Sequence, residues 1–471
     1  MLFNSLSFMV FLVIVIAIYY SNLLNWSNRK RMLLFTSYVF YGLWNPPLII
    51  LLWLSTLVDW VAANKLFVEE NQRKRNGWLF LSMFVNLGFL GFFKYGNFLL
   101  ENFTFLMNSI GIEYQAQPMD IILPMGISFY TFQTMSYTLD MYNRKTKPAK
   151  TFLDFALYVT FFPQLVAGPI VRAGELIEQF YEEKKATVNQ FIWGLFLLTL
   201  GLFQKVVLAD TLLSDAADTV FGSKEATNFW DAWAGTLAFS GQIFFDFAGY
   251  STCAIGIAMM LGFVLPHNFL YPYGAIGFTD FWRRWHITLS TWLRDYVYIP
   301  MGGNQFGMTR MYVALMVTML VGGLWHGAAW TFVVWGALHG FYLVIEKLFR
   351  KKINIKTTKW NGIFLAFLTF TLVNFTWVFF RAREFSTAKY MIESMLFLHP
   401  EGVMVLEYFD LVKVFILVGI LFLTHFYMRK HTVKMVSESI PNWLFSIVWA
   451  AMIFLIVIAQ GSGEQFIYFQ F

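Results

Sequence analysis

Cysteine and charge are both scarce in this chain of 471 residues. Cys253 is the only cysteine, which excludes a disulfide within the chain and any metal site built from several thiolates. Charged residues make up 13% of the sequence, against roughly 25% in soluble globular proteins. So little charge beside so much apolar sequence excludes a soluble enzyme and a disordered protein.

Hydrophobic residues account for 58% of the chain. They recur in apolar runs, and a run of about 18 residues is long enough to be a transmembrane helix. The alternating pattern of a transmembrane β-barrel does not dominate anywhere. We predict an all-α polytopic membrane protein, one integral domain over 1–471, with roughly eleven spanning helices and additional re-entrant and interfacial helices. The candidate spans are 6–24, 33–45, 47–63, 77–93, 121–141, 189–208, 229–262, 310–346, 361–380, 410–428 and 441–460.

Clusters of Lys and Arg follow many of these spans, and the formal net charge is +6. In a membrane protein such clusters mark cytoplasmic loops, so the basic excess does not indicate nucleic acid binding. With the clusters placed inside, both termini lie outside, and the first apolar run is a span and not a cleavable signal peptide. The acidic stretch 210–231 is then predicted to be an external loop. The basic clusters are 29–31, 73–75, 144–150, 184–185, 350–352 and 429–430.

The stretch 278–300 is too polar to span a membrane. On a continuous helix its charged residues share one face and its large apolar residues share the other. This pattern predicts an interfacial helix near the inner membrane surface, with His286 turned toward the protein interior. The basic face contains Arg283, Arg284 and Arg294, which could bind either the phosphates of a nucleotide-like donor or anionic lipid headgroups.

His326 lies within the long apolar run 310–346, which also carries Gly322 and Gly323 and is interpreted as a broken pair of helices. An ionisable side chain inside such a run is costly unless it lines a cavity or has a partner, so a functional site is favoured. Neutral imidazole is also a suitable general base near pH 7.

The other histidines carry weaker signals. His339 is thirteen positions after His326, which on one helix is about 220° away, so a structural role is expected. His267, His399, His425 and His431 fall near span ends or loops, where solvated or capping roles are expected. Metal binding by His286 and His326 lacks a supporting spacing of ligands, and no metal is predicted.

Several long motifs occur in order along the chain: FFPQLVAGPIVR at 161–172, FFDFAGYS at 244–251, FWRRWH at 281–286, WLRDYVYIPMGGN at 292–304 and LWHGAAW at 324–330. Together they resemble the motifs of the membrane-bound O-acyltransferase (MBOAT) family. The final residues FIYFQF at 466–471 resemble its bacterial branch for alginate O-acetylation, and the teichoic acid D-alanylation proteins are more distant.

This resemblance implies a fold of spanning and re-entrant helices around a tunnel through a bacterial inner membrane. It implies that His326 is catalytic and that His286 is a second important histidine. The implied donor is acetyl-CoA on the cytoplasmic side, used as a substrate with no bound cofactor. The implied acceptor side holds an extracytoplasmic SGNH-type acetyltransferase or a polysaccharide. Candidate donor-binding or positioning residues are Arg283, Arg284, Trp285, Arg294, Asn304 and Trp325.

Three alternatives remain open from the sequence. One keeps the family and replaces acetyl-CoA by an acyl carrier protein that delivers D-alanine or another short acyl group. Another is a transporter or flippase, although no inverted repeat is visible and the main buried carboxylate candidates are only Asp59, Asp140 and Asp246. A third is a scaffold for an external acetyltransferase.

Overall fold

The computed structural model describes residues 1–352 and 358–459, apart from the side chains of Lys352 and Lys359. Within these residues the fold is helical, with one isolated β-bridge between Thr227 and Val403 and no strand. Nine helices in this part of the chain are long and apolar enough to cross a membrane. The all-α polytopic class is therefore confirmed. The motif 466–471 lies outside the described residues, as does the last residue of the candidate span 441–460.

The contacts divide the chain into two compact units. Unit 1 comprises Met1–Leu198 and Ser251–Pro266, and unit 2 comprises Thr199–Tyr250 and the described residues from His267 onward. The helices up to the start of unit 2 are α1 Leu6–Tyr20, α2 Trp26–Gly42, α3 Ile49–Val68, α4 Gln72–Phe93, α5 Gly96–Ser109, α6 Ile127–Tyr142, α7 Phe152–Thr160, α8 Ala173–Leu176 and α9 Val188–Leu202.

Unit 2 holds both candidate catalytic histidines, and two of its helical segments are π-helical, at Phe203–Leu213 and Arg294–Tyr298. Its α-helices are α10 Ser214–Gly222, the first part of α11 Phe229–Met260, α12 Phe278–Trp282, α13 Ile287–Leu293, α14 Met308–His326, α15 Trp330–Lys352, α16 Lys359–Arg381, α17 Phe385–Met395, α18 Tyr408–Tyr427, α19 Val433–Ser439 and α20 Asn442–Ala459.

The candidate spans correspond to helices, but three of these helices have fewer than the about 18 residues that a transmembrane helix needs. The runs 6–24, 33–45 and 121–141 become α1, α2 and α6, which have 15, 17 and 16 residues. The last of these starts late because Gly126 turns the chain with φ 71°, where a β-carbon would lie 2.7 Å from the carbonyl oxygen of Leu165. The run 310–346 forms two helices, as expected for a broken pair.

The predicted external loop 210–231 is wrong for most of its length. Helix continues from the π-helical segment through α10 to Gly222, and α11 begins at Phe229. The charged residues at both ends of the stretch are buried. Asp210 is held 2.8 Å from the Lys205 ammonium, and the Asp231 carboxylate accepts the backbone N–H of Val405 at 2.5 Å. Because these two carboxylates have partners, both ends of the stretch can be buried, while Asp215 and Asp218 of α10 are exposed.

Polar residues also occur inside the apolar part of unit 1. The fully buried Asp59 carboxylate accepts hydrogen bonds from Ser82, Asn86 and Thr138, at 2.5, 2.8 and 3.4 Å. These donors come from α4 and α6, which pack against α3. The buried carboxylate therefore fastens three helices together through neutral donors.

Candidate active site

His286 lies at a break between the short helices α12 and α13. Its backbone has φ 41°, in the left-handed region that residues other than glycine rarely adopt. The backbone N–H of Ile287 donates to the Asn268 carbonyl oxygen at 2.9 Å and fixes the chain just after the turn. The single interfacial helix predicted over 278–300 is therefore wrong, because this turn divides it. The prediction that His286 faces the interior is confirmed, since the residue is fully buried.

The arm before His286 runs beside α15. At its start, the Thr279 N–H donates to the Glu346 carboxylate at 2.7 Å. Further along, the Trp282 ring lies 5.0 Å from the ring of His339. His339 is about two helical turns closer than Glu346 to the beginning of α15. The arm thus leads from the basic end of α15 toward its N-terminal half.

The arm after His286 returns beside α14. Leu293 lies against Gly322, where an added β-carbon would be 3.1 Å from its side chain. Further along the return, the Arg310 guanidinium donates to the Met301 carbonyl oxygen at 2.7 Å, near the beginning of α14. The whole segment is therefore a re-entrant pair with His286 at its turn.

His326 is the last residue of α14, and Gly327 ends that helix with an extended backbone. Glycines bring α14 and α15 together: a β-carbon on Gly323 would overlap the Phe332 carbonyl oxygen, and one on Gly336 would overlap the Met319 carbonyl oxygen. The small residues around His326 thus set the backbone separation in this hairpin. His326 itself is 2% exposed.

The His326 ring is enclosed by aromatic rings from three parts of unit 2. Its centroid lies 5.0 Å from Trp325, 5.0 Å from Trp335 and 5.2 Å from Phe380, all nearly perpendicular in orientation. Such surroundings keep water from the imidazole and strengthen any electrostatic interaction there.

The two candidate catalytic histidines lie together. Their ring centroids are 6.2 Å apart, and Trp325 contacts both, with its ring 5.4 Å from that of His286. Phe247 of α11 closes the other side of His286 at 4.7 Å. One small reacting group could therefore touch both imidazoles at once.

Burial lowers the pKa of His286 to about 3. The cause is desolvation, which penalises the charged form of the ring. At neutral pH His286 is therefore a neutral imidazole, able to donate one hydrogen bond and accept another.

The remaining histidines have ordinary roles in most cases. His339 is buried and its Nε2 lies 3.0 Å from the Thr376 hydroxyl, and His399 pairs with Glu393 at 3.2 Å. His267 is exposed. For His425 a solvated role is wrong, whereas its contact with a first-turn N–H is of the capping kind. Its ring is buried, and its Nδ1 accepts the backbone N–H of Tyr273 at 3.2 Å, because the 3₁₀ turn at Pro272–Gly274 packs onto α18.

The candidate donor-binding residues do not all lie in one place. Trp325 is at the histidines, while the buried Trp285 ring packs 4.9 Å from Trp377. Arg284 pairs with Asp280 at 2.8 Å, and Arg283 is exposed and lines a separate cavity.

Two further candidates lie on the return arm. Arg294 pairs with Asp295 at 2.8 Å and keeps 59% of its side chain exposed. Asn304 accepts the Tyr298 hydroxyl at 2.5 Å. Among the described residues no group of three or more His, Cys, Asp or Glu could hold a metal ion.

A buried charge cluster lies next to this site along α11. The Lys205 ammonium is 2.8 Å from Asp210 and 2.7 Å from Asp246, and all three side chains are at most 7% exposed. Asp246 immediately precedes Phe247, which contacts His286. The π-helical turn at Lys205 and the register of α11 are thus fixed by the same ammonium group.

Sequence reasoning missed three rings that surround the histidines. Phe247 lies within the motif 244–251, so that motif was the available signal. Trp335 and Phe380 reach His326 from α15 and α16, and no local spacing indicates that these two positions meet His326.

The site is thus a buried, aromatic-walled pair of histidines in a polytopic helical protein, with His286 at the turn of the re-entrant segment and His326 at the end of α14. Residues 8–383 match the MBOAT family, membrane-bound O-acyltransferases. Because this match covers most of the chain, the protein belongs to that family and is an acyltransferase by family.

Similar proteins include the probable alginate O-acetylase AlgI of Pseudomonas putida, 41% identical over 84% of this chain and 80% of the relative. The peptidoglycan O-acetyltransferase of Helicobacter pylori is 37% identical over 78% of this chain and 73% of its own. A teichoic acid D-alanyltransferase of Streptococcus thermophilus is more distant, 29% identical over 54% of this chain and 68% of its own.

Proposed function

We propose that this protein is an O-acetyltransferase that uses cytoplasmic acetyl-CoA and delivers the acetyl group for esterification of an extracytoplasmic polysaccharide. The single observation that carries the proposal is the buried pair His286 and His326, with ring centroids 6.2 Å apart inside an aromatic enclosure. The relatives named for O-acetylation support acetyl as the transferred group, since each similarity extends over most of this chain and most of the relative.

His326 acts as the general base in this proposal. The acceptor hydroxyl oxygen attacks the thioester carbonyl carbon while the imidazole takes the hydroxyl proton. The carbon–sulfur bond then breaks, and the CoA sulfur leaves with the proton returned by the imidazolium. The products are an acetyl ester and CoA with a free thiol, so protons and charges balance.

His286 acts as a neutral hydrogen-bond donor to the oxygen that becomes negative during the attack. A low pKa suits this role, because a ring that does not take up a proton keeps a fixed N–H dipole aimed at the reacting group. The left-handed turn and the ring of Phe247 hold the imidazole in place. Trp325 touches both imidazoles and is the proposed wall of the acetyl site.

The donor approaches from the basic end of α14 and α15, which the positive-inside rule assigns to the cytoplasm. The re-entrant segment leads from that end to His286. Arg294 and Asn304 lie on its return arm, and Arg294 is exposed enough to meet a phosphate of the donor. Arg284 and Trp285 hold the turn at His286 in position. Arg284 does so through its ion pair with Asp280, and Trp285 through its ring contact with Trp377.

The chemistry of the reaction and the names of the relatives support the proposed acceptor side. A polysaccharide hydroxyl outside a bacterial inner membrane needs either direct access to His326 through a tunnel or a partner that carries the acetyl group. We place an SGNH-type acetyltransferase in that partner role, because its serine hydroxyl is an acceptor of the same kind.

The test is transfer of labelled acetyl groups from acetyl-CoA in membranes that contain this protein and its extracytoplasmic partner. We expect His326→Ala to lower the transfer rate by about 10²–10⁴-fold, the range of general base catalysis. His267→Ala, at an exposed histidine, is the matched control and should keep the wild-type rate. Normal transfer by a folded His326→Ala protein would exclude His326 from the reaction.

A second candidate keeps the site and changes the donor to a carrier protein loaded with D-alanine. The D-alanyltransferase relative supports it at 29% identity, less than the O-acetylation relatives. Offering loaded carrier and acetyl-CoA in parallel separates the two. Transfer from the carrier alone would replace the acetyl-CoA proposal.

A further inference from the structure

A separate cavity of about 620 Å³ lies in unit 2 at the basic end of the α14–α15 hairpin. The re-entrant arm α12 and the short 3₁₀ turn that follows α18 also contribute to it. Five cationic side chains line this cavity, called here the basic pocket: Arg283, Lys347, Arg350, Lys351 and Arg429.

The basic pocket keeps a positive charge after its ion pairs are counted. Arg350 pairs with Glu346 at 2.6 Å, and Arg429 pairs with Asp280 at 2.9 Å. The other three cations, Arg283, Lys347 and Lys351, form no ion pair within the described part of the chain. Three such charges facing one concave space attract an anion with several negative oxygens.

The basic pocket lies where membrane spans end. Met308, which lines it, begins one span, Lys351 ends the next, and Arg429 is one residue from the end of a third. Side chains at these positions lie at the level of lipid headgroups, and the basic charge assigns them to the cytoplasmic leaflet. Basic pockets between membrane helices on that side bind anionic lipid headgroups.

Part of the pocket lining is apolar: Ile276, Met308 and Met311. Elsewhere on the hairpin, apolar side chains are exposed on the outer surface: Val313 of α14 is 51% exposed and Phe349 of α15 is 58% exposed. A soluble phosphate compound needs no such surface, whereas the acyl chains of a phospholipid would cover it.

We propose that the basic pocket binds the phosphate of an anionic phospholipid, whose acyl chains lie on the exposed apolar faces of α14 and α15. Arg283, Lys347 and Lys351 contact the phosphate oxygens, and Arg350 and Arg429 add charge from their ion-paired positions. This binding is independent of acetyl transfer, so the two proposals can fail separately.

The experiment measures retention of phosphatidylglycerol and phosphatidylcholine by the detergent-purified full-length protein, with native mass spectrometry. We expect the wild type to retain phosphatidylglycerol preferentially. The triple variant Arg283→Gln, Lys347→Gln, Lys351→Gln should retain it about 100-fold less, since each basic residue near a membrane surface contributes appreciably to lipid binding. A charge-matched control is Lys74→Gln, Lys389→Gln, Lys434→Gln, at lysines whose side chains are 68–69% exposed and lie outside the pocket.

Competitors identify the source of the phosphate. Inorganic phosphate and CoA are added separately to protein loaded with phosphatidylglycerol, and the His326→Ala variant is tested alongside. The proposal expects the lipid to remain bound with either competitor and in His326→Ala. Equal retention of both lipids, an equal loss in the control triple variant, or displacement by micromolar CoA would overturn it, and the last result would assign the pocket to the acyl donor.

Discussion

His286 combines a left-handed backbone, complete burial and a neutral ring. As pH falls, the unfolded chain takes up a proton at the ordinary histidine pKa of about 6.5, whereas folded His286 resists protonation until about pH 3. Folding is therefore penalised progressively between these values and not above them. The slope is at most about 1.4 kcal/mol per pH unit.

The first prediction concerns this acid sensitivity. His286→Asn removes the titrating ring and keeps a residue that tolerates the left-handed conformation. The thermal unfolding midpoint of the variant in detergent should therefore fall less than that of the wild type between pH 7.5 and pH 5. Parallel pH curves for the two proteins would show that this ring does not control the effect.

At the residue scale, the sequence identified the two histidines and Trp325 but not the other rings that surround them. His326 was visible because an imidazole inside an apolar run is costly, and that signal is local. The rings of Trp335 and Phe380 are two aromatics among many in this chain, and their meeting at His326 depends on helix packing. The local turn at His286 was also invisible, because His is not a residue that predicts φ > 0.

At the element scale, the α14–α15 hairpin depends on selected glycines. A β-carbon on Gly323 would overlap the carbonyl oxygen of Phe332, which the backbone cannot easily move. A β-carbon on Gly322 would meet only the end of the Leu293 side chain, at 3.1 Å. An added β-carbon is therefore tolerated much better at Gly322 than at Gly323.

We expect Gly323→Ala to destabilise the protein by about 1–3 kcal/mol, the usual cost of overpacking, and to lower acetyl transfer because His326 lies one turn away. Gly322→Ala should be close to wild type in both respects. Thermal unfolding and transfer rate, measured on the same preparations, check this pair. Equal losses in the two variants would show that helix separation does not depend on Gly323.

Lys205, in the π-helical segment Phe203–Leu213, forms an ion pair with Asp246 of α11. Lys205→Met would leave the Asp210 and Asp246 carboxylates without their shared ammonium partner, which costs about 3–5 kcal/mol for a broken buried pair. We expect low recovery of folded protein from size-exclusion chromatography in detergent. The triple variant Lys205→Met, Asp210→Asn, Asp246→Asn should recover more folded protein than Lys205→Met alone, and no such rescue would argue against the ion cluster as the cause.

The element predictions failed at two charged segments. The acidic stretch 210–231 was predicted to be a loop outside the membrane, and the segment 278–300 was predicted to be one helix, which the turn at His286 divides. Lys205 of the same π-helical segment pairs with Asp210, and Arg429, just after α18, pairs with Asp280, so these carboxylates fold among helices. The broken pair in 310–346 was predictable because small residues and a histidine interrupt the apolar run.

At the scale of the whole molecule, the class and the family followed from composition and long motifs, while the count of spans did not. Nine helices in the described residues meet the criteria of length and hydropathy for spanning, against roughly eleven predicted. Three candidate spans drop out because α1, α2 and α6 are short, while the run 310–346 supplies two spanning helices in place of one. Helix length depends on where tertiary contacts turn the chain.

The orientation in the membrane is open to a direct test, because the chain has one cysteine. Cys253 is 1% exposed and can be replaced by alanine to give a background without reactive thiols. Ser386 and Ser439 are both exposed. Ser386 follows the C-terminal end of α16, and Ser439 follows the C-terminal end of the next span, α18, so the two serines are predicted to lie on opposite sides of the membrane. Since Ser439 follows the basic end at Arg429, the positive-inside rule puts it in the cytoplasm and Ser386 outside.

We therefore expect a membrane-impermeant maleimide to label Ser386→Cys, and not Ser439→Cys, in spheroplasts that express the cysteine-free protein. Inverted membrane vesicles should give the opposite pattern, and detergent should allow both to react. This orientation places the basic pocket on the cytoplasmic side, the side of the proposed donor, and agrees with an acceptor on the other side of the membrane. Labelling of Ser439→Cys from outside would reverse the direction of acyl transfer and contradict the cytoplasmic assignment of both the donor and the phospholipid site.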